Sequence, residues 1–264
     1  MLKAFRTGAY SNHASNLGAL LAAQLAKRWE AKTFIVDPVS TDELVEKARI
    51  SGVPEIERRG RSHALNIKFC VRAASESLKL GSAPSRFIVA HLGSGFSIAA
   101  VRDGKIIDVN DALLGMGPFS VERAGSLPLA GIIDILYKNK NDKTDIIHKL
   151  SRESGLKAYL GTNVFPQIEE RIQANDETAR SVFEAMIYQI VKEIGGHYAG
   201  FHGDVTGLIF TGGLCRSSLV TERLCQELKF IQPQLIFPGS FELEALVAGV
   251  LRALNGTELV QEYK

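Results

Sequence analysis

The residues best suited to chemistry lie within 91–128, HLGSGFSIAAVRDGKIIDVNDALLGMGPFSVERAGSLP. The apolar run Phe87-Ile88-Val89-Ala90 leads into His91-Leu92-Gly93-Ser94-Gly95, a turn whose two glycines let backbone N–H groups approach an anion. A Gly-rich stretch, 114–120, then precedes Glu122-Arg123-Ala124-Gly125. The planar fork of Arg123 can meet two phosphoryl oxygens at once. A phosphate cradle, a hairpin and a loop carrying a lone Arg together suit phosphoryl transfer. HLGSG by itself is equally what a plain tight turn looks like. A second candidate is 207–213, a strand running into Gly212-Gly213 with a helix after it. Such a corner brings a helix N-terminus and close backbone to an anion or an adenosine, and a ligand-free strand–Gly–helix corner reads the same way. Asp37 ends a short apolar run, where α/β folds place their chemistry, and Asp-Pro is just as common in turns. Glu242 falls in the first turn of the last helix, where a carboxylate suits the dipole.

The elements that must position these groups follow from periodicity. Leu17, Leu20, Leu21, Leu25 and Trp29 have helical spacing behind a cap at Ser15-Asn16. Thr33-Phe34-Ile35-Val36 reads as a short buried strand, and Ser40-Thr41-Asp42-Glu43 as a cap before a helix carrying Leu44, Val45 and Ala48. Arg58, Arg59 and Arg61 read as a solvated basic face. A helix over 64–80 leads to the linker 81–85, which is taken as a domain boundary. Phe96 to Val101 and Ile106 to Val109 pair through an Asp-Gly turn. Residues 132–137 suggest a helix and 138–145 a surface excursion. The stripe Val182, Phe183, Met186, Ile187, Ile190, Val191 and Ile194 is a core helix. The last helix is expected to bury Leu243, Leu246, Val247, Val250, Leu251 and Leu254, with Gly256 stopping it. Strands separated by helices, with one antiparallel hairpin, give an α/β fold with a mixed sheet.

Composition excludes several classes. Of 264 residues 45% are hydrophobic and 23% charged, as in an ordinary globular protein. A net charge of +2 gives no sign of nucleic acid or an anionic membrane as partner. Cys70, Cys215 and Cys225 lack the spacing of a zinc site or a disulfide framework. With no signal peptide and no membrane-length apolar run, the expected location is cytoplasmic.

The stretch 91–128 closely resembles butyrate kinases, of the acetate kinase branch of the actin-like ATPase superfamily, and the likeness runs over nearly the whole chain. It implies two ribonuclease-H-like (actin-like ATPase) domains with mixed sheets, closing over ATP with Mg²⁺. Residues 1–80 would then be a remnant of an incomplete first domain, and 81–264 the nucleotide-binding domain. The resemblance implies that His91, Gly93, Ser94 and Gly95 bind phosphate and that Gly212 and Gly213 contact adenosine. Arg123 would face the phosphoryl group in flight, His63 would donate to it, and Asp37 would steer the acid or activate its carboxylate. Glu242 would contact Mg²⁺. His13 and Asn16 resemble a substrate-side segment, and 155–163 a nucleotide-side loop. Ser62 replaces an aromatic residue before His63, Phe96 a glycine and Met116 an acidic residue; Ala130-Gly131 stands where the family has Gly-Asp. No Asn-Pro-Gly-Ser-Thr-Ser-Thr-Lys-type phosphate loop, and no second substrate-side Arg, is found in residues 1–32. The expected reaction is ATP plus butanoate to ADP plus butanoyl phosphate, impaired in this shortened chain. The alternatives are a kinase for another short-chain acid, or an inactive C-terminal fragment or nucleotide-binding interaction module. A homodimer or a separate N-terminal fragment is the expected partner.

Overall fold

The computed structural model describes residues 2–9, 14–139 and 142–260; His13 lies outside them. A five-stranded mixed sheet in the order β3-β2-β1-β4-β5 organises the chain. The apolar run before His91 becomes β1 (Arg86–Leu92), buried at every residue after Arg86. A strand apolar on both faces belongs in the middle of a covered sheet. Accordingly, β1 pairs antiparallel with β2 (Phe96–Arg102) and parallel with β4 (Gly207–Gly212). The expected hairpin joins β2 to β3 (Lys105–Val109) through Asp103 and Gly104, at φ 50° and 76°. That left-handed pair matches the twist of the strands it connects. β5 (Gln234–Pro238) extends the parallel side.

Helices cover both faces. On one, Ile67, Cys70, Val71 and Ala74 of α4 (Ala64–Ser77) pack against Phe87, Val89, Ala99 and Val101. On the other, α9 (Glu177–Gly200) lays Phe183, Met186, Ile187, Ile190 and Ile194 against Ile88, Ala90, Ile98 and Phe210. The two sets of β1 residues alternate along the strand, as pleating demands. Asp176 caps α9 by accepting the Ala179 N–H at 3.0 Å. Around it stand α7 (Gly155–Leu160), α8 (Phe165–Gln173) and α10 (Ser218–Glu227). The stretch expected as a nucleotide-side loop is thus helical from Gly155 to Leu160. α5 (Leu129–Asn139) and α6 (Lys143–Arg152) cross the residues expected as a surface excursion, of which 140 and 141 lie outside the description. No helix among the described residues is long and apolar enough to cross a membrane.

The N-terminal part departs from expectation. Residues 33–36 form no strand; they run as irregular chain with no sheet partner among the described residues. A strand needs a neighbour for its N–H and C=O groups, and apolar composition alone supplies none. Instead Val36 nests into α11 (Glu242–Leu254) at Gly249, where any Cβ would collide with its methyl groups. The helix expected from Leu44 is a single turn, α3 (Glu46–Arg49). Asp42 shapes the approach, accepting the Leu44 N–H at 3.3 Å and meeting Arg49 at 2.8 Å. The large apolar residues of α11 are also not buried as expected: only Ala245 and Gly249 are, while Leu243 and Leu254 are 76% and 61% exposed. α2 (Asn16–Trp29) packs with α1 (Leu2–Thr7), yet shows Leu17, Leu21, Leu25 and Trp29 to solvent.

Candidate active site

Because β1 and β4 run parallel and in register, the turn after one and the corner after the other fall together at their C-terminal ends. Gly212, at φ 98°, is needed there because a Cβ would run into the Leu92 backbone. Gly213 has open space around it and begins the 3₁₀ turn Gly213–Arg216. In the other turn Gly93 N–H donates to Gly95 O at 3.2 Å. The neighbouring Ser94 and Gly95 N–H groups meet no protein acceptor among the described residues. Two adjacent unspent donors at a strand end can receive an anion.

Arg123 sits directly beside this turn. A Cβ on Gly95 would fall inside the Arg123 guanidinium, so the glycine makes the space that the cation fills. Arg123 Nη1 donates to Ala112 O. The backbone is tied in by Ser120, whose N–H donates to Arg123 O at 3.0 Å and whose Oγ accepts the Arg123 N–H at 3.2 Å. Ser120 Oγ in turn donates to Ser94 O at 2.5 Å, coupling the Arg loop to the glycine turn. Burial, with Arg152 nearby, lowers the Arg123 pKa from its ordinary value. A guanidinium starts so high that it stays charged.

His63 precedes α4 and is held by Ser97 of β2. Ser97 Oγ accepts the His63 backbone N–H at 3.2 Å and lies 2.8 Å from His63 Nδ1. The His63 ring stacks on His91, centroids 4.0 Å apart and 13° from parallel. His91 is 4% exposed, and burial pushes its pKa down to about 4, so the ring is neutral. Asn66 Nδ2 lies 2.9 Å from its Nδ1.

Asp37, His63, Arg123 and Glu242 line one cavity of about 440 Å³, whose walls include Ala19, Phe34, Val36 and Leu246. His63 and Arg123 also touch the glycine turn side, so cavity and turn meet at these two side chains. Asp37, at φ 38°, is not a free carboxylate: Lys68 Nζ sits 3.0 Å from Oδ1 and Arg72 Nη1 3.8 Å from Oδ2. Lys68 also reaches Glu43 at 2.9 Å. Burial pulls the Lys68 pKa down, and these two carboxylates more than offset it, leaving it above the ordinary value. Glu242 is exposed and has no hydrogen bond or ion pair among the described residues. The basic face is not merely solvated: Arg58 pairs with Asp108 at 2.9 Å, and Arg61, on the cavity wall, pairs with Asp111. A more open groove of about 920 Å³ between α4, α11 and residues 81–85 holds none of the expected site residues.

Sequence reasoning passed over Asn66, Ser97, Thr211 and Lys68. A signal existed for the first. Asn is a poor helix former, and one placed on the apolar face of a helix such as α4 needs a polar reason to be there.

A mixed five-stranded sheet in the order β3-β2-β1-β4-β5, with helices on both faces and glycine corners at the ends of β1 and β4, is an α/β fold of the ribonuclease-H-like kind. Residues 52–235 match the acetokinase family. The "probable butyrate kinase 2" of Caldanaerobacter subterraneus subsp. tengcongensis is 43% identical over 263 residues, all of this chain and 74% of the relative. A probable butyrate kinase of Listeria monocytogenes is 44% identical over the same spans. Among solved structures, Porphyromonas gingivalis acetate kinase superposes with a TM-score of 0.71 at 21% identity, covering 81% of this chain and 62% of that one. A propionate kinase from Francisella tularensis gives 0.71 at 20% identity, covering 93% and 71%. The chain belongs to the acetokinase family. It is shorter than these relatives, spanning about three quarters of the butyrate kinases it matches.

Proposed function

We propose that this chain carries a carboxylate kinase site, moving the γ-phosphoryl group of ATP to a short-chain fatty acid with butanoate as the favoured acceptor. The observation that carries this reading is the cavity itself: apolar walls that include Phe34, Val36 and Leu246, with Arg123 and His63 on its lining and both of them against the glycine turn. The acid's alkyl chain would take the apolar part and its carboxylate would point to Arg123. Gly93, Ser94 and Gly95 would hold phosphate, the two unspent N–H groups donating to it, with His91 alongside. Gly212 and Gly213 would border the adenosine. Such a site asks of the protein positioning and charge neutralisation, which is most of what phosphoryl transfer requires.

Mg²⁺ fits the donor set in a limited way. Glu242 is an uncommitted carboxylate on the cavity wall, and Mg²⁺ commonly takes one or two carboxylates, with phosphate and water supplying the rest. When bound, the ion would neutralise phosphate charge. Asp37, clamped by Lys68 and Arg72, is better suited to shaping the cavity wall and setting its field than to accepting a proton. Residues 1–80 and 81–264 are two proposed parts, with α4 bridging them: it precedes the boundary in sequence and covers the sheet that follows.

A second reading, a nucleotide-binding module with little turnover, is favoured by the unpaired segment 33–36 and the bare apolar faces of α2 and α11. Acyl phosphate trapped as hydroxamate, measured with butanoate and MgATP after the part of a butyrate kinase relative outside the match is supplied as a separate polypeptide, separates the two. Turnover that depends on Arg123 supports the kinase; MgATP binding without turnover supports the module.

A further inference from the structure

Asn66, 1% exposed in the first turn of α4, touches three other parts of the site. Its Oδ1 accepts the Phe241 backbone N–H at 2.9 Å, just ahead of α11. A backbone N–H can only donate, so this contact fixes which end of the amide is oxygen. The NH₂ end then spends both protons, one on His91 Nδ1 at 2.9 Å and one on Thr211 Oγ1 at 3.0 Å. Thr211 agrees with that direction. It passes its own proton to Gly239 O at 3.2 Å and also receives the Cys70 S–H at 3.4 Å. His91 Nδ1 must therefore accept, and the proton of the neutral ring lies on Nε2. Nε2 is turned to the glycine turn: a Cβ on Gly93 would stand 3.2 Å from it.

We propose that Asn66 is a positioning residue that locks His91 in the Nε2–H tautomer, making the ring a hydrogen-bond donor toward the phosphate of a nucleotide at the Gly93–Gly95 turn. The role toward phosphate rests on the kinase reading above; the tautomer lock does not. With the proton on Nδ1 the ring would oppose N–H to the Asn66 NH₂ and show a lone pair to an anion. Both contacts would be repulsive, in a place too buried for water to relieve them. The stacked His63 ring keeps the His91 plane from turning away.

The test uses the full chain with isotope-labelled histidine, reading ring tautomers by long-range proton–nitrogen NMR and MgADP affinity by calorimetry on the same samples. The wild-type His91 is expected to carry its proton on Nε2. In Asn66→Asp, whose carboxylate can accept but not donate, the proton of the neutral ring should move to Nδ1, leaving a bare lone pair on Nε2. MgADP affinity should then fall roughly 10-fold or more, the usual cost of losing a hydrogen bond to a charged group. Should Asn66→Asp not fold, Asn66→Ala frees both tautomers, and both ring nitrogens should shift toward averaged positions. Thr211→Val removes one partner of the amide but keeps its contacts to Phe241 and His91. It should retain the Nε2–H form, which separates the lock from general loss of packing. A wild-type ring protonated on Nδ1 overturns the proposal, as does an unchanged tautomer in the folded Asn66 variant. Absence of MgADP binding by a wild type with the Nε2–H ring overturns the role toward phosphate and the kinase reading, while the lock stands.

Discussion

Gly95 and Arg123 compete for one volume, and only the smallest side chain leaves room for the guanidinium. The obstacle to a larger residue is a side-chain tip, which can swing away, so Gly95→Ala should fold with a nearly unchanged melting midpoint. With the rest of a butyrate kinase relative supplied as a separate polypeptide, it should nevertheless lose acyl phosphate formation to about the same extent as Arg123→Ala, roughly 10²–10³-fold, while MgADP affinity changes little. Hydroxamate assays of both variants alongside calorimetry check this. A fully active Gly95→Ala would detach Arg123 from the reaction. His91 adds a pH signature. Burial holds its pKa near 4 against an ordinary 6.5, so the unfolded chain takes up the proton first as pH falls. Stability should therefore be unaffected above pH 6.5 and decline between 6.5 and about 4, by on the order of 3 kcal/mol. Urea unfolding of wild type and His91→Gln across that window should show the slope in the first and its loss in the second.

The same contrast between what a residue is and what surrounds it governs the elements. β1, the hairpin and α9 were legible because their patterns carry their own partners: a strand apolar on both faces must be central, and the α9 stripe must meet it. The glycine turn and Arg123 were legible as separate pieces. Residues 33–36 were not, because pairing depends on a neighbour that an apolar run does not encode. The α11 face misled for a related reason: helical spacing shows that a face exists, not that something covers it. Ion-pair clamps were also hidden, since Lys68 and its carboxylates are far apart in sequence. Lys68 holds Asp37 and Glu43, which follow this irregular stretch. Lys68→Met should leave two half-buried carboxylates facing each other across an apolar gap and cost about 3 kcal/mol, the lower end for breaking a buried pair. Lys68→Arg should recover much of it. An unchanged urea midpoint in Lys68→Met would show the clamp to be idle.

At the scale of the molecule the sheet and its two helical faces are self-sufficient, whereas α2 and α11 show apolar residues to water. Faces of that kind invite association. Residues 1–264 contain no Ser/Thr/Lys phosphate loop of the family type, and transition-state charge spread over three oxygens needs donors on both sides. The 264-residue polypeptide alone should thus form acyl phosphate only near background. Adding, as a separate polypeptide, the part of a butyrate kinase relative outside the match should raise it, and strong turnover unaided would refute that expectation. Nucleotide binding probes the proposed site more directly than turnover, because on that proposal it calls on the β1 turn, the β4 corner and Glu242 alone. Calorimetric titration of the purified, folded chain with millimolar ADP and Mg²⁺ should give weak, saturable heat that disappears in Gly212→Val, where a side chain drives into the Leu92 backbone and parts the two strand ends. No heat from the folded wild-type chain, or the same heat from a folded Gly212→Val, would contradict the placement of the nucleotide at these strand ends.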